Sequence, residues 1–211
     1  MNELLQNISE KLQKGKMPEV VALTEQAVSE GLDASDILNG LLDGMGVIGE
    51  KFKRNEVFVP EVLIAARAMN AGLDVIKPLL EEQGIEPVGK VIIGTVKGDL
   101  HDIGKNLVRM MMVGAGLEVI DLGVDVSPEK YIAAVEENNP DIIAMSALLT
   151  TTMPNMKAVI DALEEKGLRD KVKVMIGGAP VTDNFAEEIG ADRYTVDAAS
   201  AAEVAKELIL N

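Results

Sequence analysis

The chain has 211 residues, enough for one large domain or two small ones, and 47% of them are apolar, which excludes a disordered polymer. Its 35 acidic residues against 20 basic ones leave a formal charge of −15; such a surface repels phosphate backbones and anionic lipid, so no nucleic-acid or membrane partner is expected. The absence of cysteine excludes disulfides, thiolate metal sites, iron–sulfur clusters and a cysteine nucleophile, and with three Phe, two Tyr and no Trp the core falls to aliphatics and the 11 methionines.

The opening stretch, MNELLQNISEKLQKGK, is an amphipathic helix without the long apolar run of a signal peptide or membrane span, and a cytoplasmic location is expected. Leu4, Leu5, Ile8 and Leu12 share its inner face. Val20, Val21, Leu23, Ala27 and Val28 mark a second helix, which Gly31 is expected to end. A third opens at Asp33 or Ser35 and carries Ile37, Leu38, Leu41, Leu42, Met45, Ile48 and Phe52. The fourth follows Pro60, with Val62, Leu63, Ala66, Met69, Leu73, Ile76 and Leu80 facing inward. Residues 1–83 therefore read as a small antiparallel four-helix bundle, and the polar stretch around 84–89, with its Gly and Pro, as a linker.

From residue 90 to 211 the period changes. Short β-rich apolar runs appear at KVIIGTV (90–96), EVIDLG (118–123), DIIAMSALL (141–149), KVMIGG (173–178) and the weaker RYTV (193–196). Helical stretches follow them, starting near 103, 127, 152, 181 and 199. This alternation predicts a flavodoxin-like, Rossmann-like doubly wound sheet of five parallel strands with helices on both faces. Ligands of such sheets sit beyond the carboxyl ends of the strands. The unusual residues gather there: the GDLHDIGKN turn (98–106) after the first strand, SALLTTT (146–152) after the third and GGAP (177–180) after the fourth.

The turn holds the only histidine, His101, between Asp99 and Asp102. Its plainest reading is a loop residue ahead of a helix that Asp102 caps. A phosphate loop fails, because the spacing to Gly104-Lys105 is one residue too long, Asn106 replaces the magnesium-binding hydroxyl, and two aspartates line the loop. A phosphoryl-accepting receiver domain would need an aspartate where Ser146 ends the third strand. Zinc and iron sites want three or four protein ligands. A metal that uses one imidazole must bring its other ligands along, as a tetrapyrrole does. A carboxylate two residues before that imidazole can bond its other ring nitrogen and fix the tautomer.

The segment Gly98-Asp99-Leu100-His101-Asp102-Ile103-Gly104 resembles the D-x-H-x-x-G signature of cobalamin-binding domains, with Asp99, His101 and Gly104 in the defining places. Ser146-x-Leu148 and Gly177-Gly178 follow in the family's order, and MGVIGEKFKRNEVFVPEVLIAARAMNAGL (45–73) is similar to the helical cap that precedes this domain in cobalamin-dependent methionine synthase and in corrinoid proteins of methyltransferase systems. The resemblance spans nearly the whole chain. It implies that cobalamin binds with its own base displaced and His101 as the lower cobalt ligand. Asp99 would be the partner of that ligand, and Thr152, where methionine synthase has a serine, would complete the relay. It further implies that the turn 98–104 faces the cofactor and that Ser146, Leu148 and Thr150 line a channel for the nucleotide tail. Gly177 and Gly178 would let backbone approach that tail, with Ala198 a further contact. Phe52, Val59 and Val62 would cover the upper face of the corrin.

The implied activity is methyl carriage: cob(I)alamin accepts a methyl group and methylcobalamin passes it on. The chain would be the non-catalytic corrinoid subunit of a multi-component system. Its implied partners are a substrate:corrinoid methyltransferase, a second methyltransferase with a folate-type or thiol acceptor, and a reductive activating protein. A cobalamin-dependent sensor and a mutase small subunit are the alternatives; the missing Trp and the charge of −15 speak against the sensor, and the cap against the mutase.

Overall fold

The structure, a computed structural model, describes residues 2–211. The chain divides into two compact units, one running up to Pro87 and taking in Gly114–Gly116, the other comprising Val88–Val113 and Leu117–Asn211.

The first unit is four helices: α1 (Glu3–Gln13), α2 (Met17–Ser29), α3 (Ala34–Lys53) and α4 (Val59–Glu82). Each start has a chemical cause. Asn2 accepts the Leu4 N–H at 2.9 Å, and Asp33, of the two candidates, caps α3 by accepting the Ser35 N–H at 2.9 Å. At α4 the Glu61 carboxylate reaches back to the Phe58 N–H at 3.1 Å, and Pro60 occupies the first turn, where its missing N–H costs no bond. α1 packs on α3, and α2 on α4. Ile8, Leu12, Val20, Ile37, Leu41, Met45, Ile48, Met69 and Ile76 are buried between them.

The second unit is a five-stranded, all-parallel sheet in the order β2-β1-β3-β4-β5. Its strands are β1 (Lys90–Thr95), β2 (Glu118–Asp121), β3 (Ile142–Ser146), β4 (Lys173–Gly177) and β5 (Arg193–Tyr194). The connecting helices are α5 (Ile103–Gly114), α6 (Pro128–Asn138), α7 (Pro154–Glu165), α8 (Asp183–Ile189) and α9 (Ala198–Leu210). Ile92, Ile143, Met145, Val174 and Ile176 build one core with Tyr131, Met156, Ile160 and Ile189. Alternate residues Val91, Ile93, Ile142, Ala144 and Met175 are equally buried and point to the other face, as a sheet covered on both sides requires. This is the expected doubly wound fold, and chain order reverses between β1 and β3.

The apolar runs overstate the strands. β3 ends at Ser146 rather than running on through Leu149, and β5 has two residues rather than four. Asp102 stands at the N-cap position of α5, its carbonyl accepting the Asn106 N–H at 2.8 Å. Its carboxylate accepts from the Asn106 side-chain amide at 3.1 Å, and among the described residues no first-turn N–H donates to it.

Candidate functional site

The reversal point between β1 and β3 is where the GDLHDIGKN turn lies. Gly98 takes a left-handed φ of +81°, and its N–H donates to the Asp125 carboxylate at 2.7 Å. That bend turns the Asp99 side chain inward, where it is completely buried. Asp99 Oδ1 accepts the His101 backbone N–H at 3.1 Å and sits 2.7 Å from His101 Nδ1. Its Oδ2 crosses to the loop after β3, accepting the N–H groups of Leu148 at 2.8 Å and Leu149 at 3.3 Å and the Thr152 hydroxyl at 2.8 Å. One carboxylate thus ties together the two loops that flank the switch point.

Burial alone would raise the pKa of this carboxyl. The Leu148 N–H, the His101 ring and backbone and the Thr152 hydroxyl outweigh it, and hold Asp99 well below the usual carboxylate range. An ionised carboxylate can only accept, so His101 Nδ1 donates and the lone pair of the neutral ring is on Nε2. The imidazole itself is half exposed, with 51% of its side-chain surface open. Thr152 is buried, and its hydroxyl also lies 2.9 Å from the Leu149 carbonyl, so one proton has two acceptors within reach.

The loops at this edge of the sheet leave large apolar side chains uncovered: Leu100 at 71% and Ile103 at 78% after β1, Leu148 and Leu149 after β3, and, farther along the edge, Val196 after β5. The third glycine loop is held by its own chain. Gly178 has φ +131°, and a Cβ there would lie 1.9 Å from the Ala147 carbonyl oxygen. At Gly177 a Cβ would meet only the Thr195 oxygen, at an ordinary 3.5 Å. Ser146 is half buried at the end of β3, Thr150 is exposed, and a Cβ on Gly104 would face open space. Ala198 is buried as the first residue of α9. In the helical unit Phe52 and Val59 are half buried, whereas Val62 is wholly enclosed by the bundle.

Sequence reasoning did not find several members of this network. Thr95, at the end of β1, donates its hydroxyl to the His101 carbonyl at 2.8 Å. Lys105 is 3% exposed, with Nζ 2.6 and 2.5 Å from the two Asp121 carboxylate oxygens. A cation in the first turn of a helix opposes the helix dipole, and that was the signal in the sequence that an anion must meet Lys105. Asp125, whose carboxylate accepts from Gly98, and Leu149, which acts through its backbone N–H, left no such signal.

The donor set fits one kind of centre. Among the described residues no group of three or more His, Cys, Asp or Glu could hold a metal ion. One free imidazole nitrogen amid exposed apolar side chains suits a metal that arrives inside its own macrocycle. A doubly wound unit with this turn at its switch point defines a cofactor-binding protein of that class.

Comparison with known proteins agrees. A family model described as B12 binding domain matches residues 89–205, and a second with the same description matches 4–77. A dimethylamine corrinoid protein of Methanosarcina barkeri is 46% identical over 209 residues, covering 98% of each chain. Among solved structures, a chain of the methanol:cobalamin methyltransferase complex of Methanosarcina barkeri superposes with a TM-score of 0.89 at 33% identity, over 100% of this chain and 81% of that one. A cobalamin-binding protein of Desulfitobacterium hafniense DCB-2 gives 0.80 at 32% identity, over 97% and 98%. The chain belongs to the family of B12-binding corrinoid proteins. No described helix is long and apolar enough to cross a membrane.

Proposed function

We propose that the chain is a methyl-carrying corrinoid protein that binds cobalamin through His101. The observation that carries this reading is the Asp99–His101 pair at the β1/β3 switch point, with Nδ1 engaged at 2.7 Å and Nε2 left as the lone-pair nitrogen. Bound cobalamin supplies a cobalt centre that can take up and release a methyl group, four of its positions being filled by the corrin ring. His101 would give that centre its lower nitrogen, in place of the cofactor's own base. Asp99 fixes the tautomer and direction of the ring, and Thr152 supplies or withholds a hydrogen bond to the far oxygen of Asp99.

Leu100 and Ile103 offer apolar surface to the macrocycle. Ser146, Leu148, Thr150, Gly177, Gly178 and Ala198 stay assigned to the nucleotide tail; of these Ala198 has little surface left to give. Phe52 and Val59 keep surface for contact with the corrin's upper face, and Val62 would act by shaping the bundle.

The relative named for dimethylamine and the complex named for methanol support a role beside a substrate-specific methyltransferase, with a methylated amine or methanol as the first donors to assay. A second methyltransferase, with a folate-type or thiol acceptor, and a reductive activator would complete the cycle in the cytoplasm.

The test is spectroscopic. Protein mixed with hydroxocobalamin and desalted should retain stoichiometric corrin, and its Co(II) form should show an electron-paramagnetic signal split by one nitrogen. Growing the protein on nitrogen-15 should alter that splitting, since the coupled nucleus would then be the protein's. His101→Ala should keep some corrin and lose the label-sensitive splitting. A variant that keeps it would remove His101 from the cobalt.

A further inference from the structure

His101 is gripped at both ends of its backbone. Asp99 takes the N–H and the ring, at 3.1 and 2.7 Å, and the carbonyl is taken by Thr95 at 2.8 Å. We propose that Thr95 is a positioning residue for the imidazole, acting through the His101 carbonyl; this rests on the reading of His101 as the cobalt ligand.

Four features support it. Thr95 is the last residue of β1 and is wholly buried, so its hydroxyl has no water to bond and must donate within the protein. The His101 carbonyl is the only acceptor it has among the described residues. Its backbone cannot drift: the N–H donates to Gly123 O at 3.0 Å, the carbonyl accepts from Val126 N at 3.0 Å, and the residue lies in register with Ser146 of β3. Its β-branched side chain has few rotamers to choose from, so the rigidity of the strand passes to the hydroxyl.

The frame behind Thr95 is itself braced. Gly123, which holds the Thr95 N–H, gives its own N–H to Asp121 at 2.9 Å, and Asp121 is the partner of buried Lys105 in the first turn of α5. The turn is thereby held from the strand before it and, through the Lys105–Asp121 pair, from the helix after it. Asp99 alone would leave the His101 carbonyl, and with it the backbone that carries the ring, without a stop on that side.

The experiment compares Thr95→Ser with Thr95→Ala, which both lose the methyl group and differ only in the hydroxyl; Thr95→Val tests the same loss with bulk retained. Each is loaded with cobalamin and reduced to Co(II). The ratio of cobalt carrying the label-sensitive protein nitrogen to cobalt without it is then read beside the thermal midpoint of the cofactor-free protein. Thr95→Ser should match wild type. Thr95→Ala should retain corrin but show a ratio lower by about five-fold, the share of one neutral hydrogen bond, and Thr95→Val should follow Ala. Equal ratios in Ser and Ala variants, beside a wild type with the nitrogen signal, would overturn the positioning role alone. A wild type without that signal would bring down the proposed function and this inference with it. Should Thr95→Val fail to fold, the Ser and Ala pair still decides.

Discussion

Asp99 serves two loops with one carboxylate: Oδ1 keeps the imidazole proton on Nδ1, and Oδ2 gathers Leu148, Leu149 and Thr152. Asparagine keeps the shape but turns one acceptor into a donor, and in either orientation its NH2 faces groups that themselves donate. Asp99→Asn should therefore destabilise the cofactor-free protein by about 1–3 kcal/mol, the cost of buried groups left unmatched, and should lose the label-sensitive cobalt signal. The sign of the pH effect follows from the depressed pKa of the carboxyl. Its stabilisation is complete above the ordinary unfolded value of about 4 and is lost as pH falls below it, because the unfolded chain binds the proton first. Urea midpoints of wild type and Asp99→Asn should thus converge on acidification below about pH 4. A gap that stays constant through that range would mean that the ionised carboxylate is not what Asn has lost.

The loops meet because elements end where they do. In the run DIIAMSALL only Asp141 and Ser146 are polar, and hydropathy alone extends the strand to Leu149. The chain instead leaves the sheet after Ser146: Ala147 N–H makes the last bond to β4, at Gly177 O (3.2 Å), and the next amides, those of Leu148 and Leu149, go to Asp99. Local periodicity therefore placed the four helices and the core of every strand, while strand ends depended on an acceptor fifty residues away, which no periodicity can register. The same split holds within the site. The spacing of Asp99 and His101 was legible because it is local. Thr95, Asp121 and Asp125 were not, since only the closed sheet brings them to the turn. Lys105 was half legible, as a misplaced cation lacking its visible anion; burial opposes ionisation of that anion, Asp121, but Lys105 beside it holds the carboxyl below its ordinary range. Gly178 carries the element-scale prediction. With a Cβ 1.9 Å from Ala147 O and φ at +131°, Gly178→Ala must part the loops after β3 and β4. Loss of about 1–3 kcal/mol of stability is expected from the backbone strain alone, together with weaker retention of cobalamin on desalting. Gly177→Ala, with its nearest contact at 3.5 Å, is the control that should stay near wild type in stability.

At the scale of the whole chain, two units with separate cores share one polypeptide, and the residues assigned to cobalt and tail all lie in the second. Ligand linkage makes that assignment measurable. Cobalamin that binds only the native protein stabilises it by RT ln(1 + [L]/Kd), about 2.7 kcal/mol at a hundred-fold excess over Kd. For a chain of this size that corresponds to a rise in melting midpoint of roughly 5–10 °C. The distribution of the gain is more telling than its size. The interior of the sheet is buried already and has little protection to gain. The turns 96–102 and 147–152 carry exposed Leu100, Leu148 and Leu149 and the amides that Asp99 gathers, and the turn 177–182 approaches them at Gly178 beside Ala147, so these three have the most. Hydrogen exchange with and without hydroxocobalamin should therefore slow in those three segments, and His101→Ala should shrink the gain at 96–102 above all. Protection that appeared elsewhere in the α/β unit while the three turns exchanged as before would move the cofactor away from the switch point, whatever the melting midpoint did.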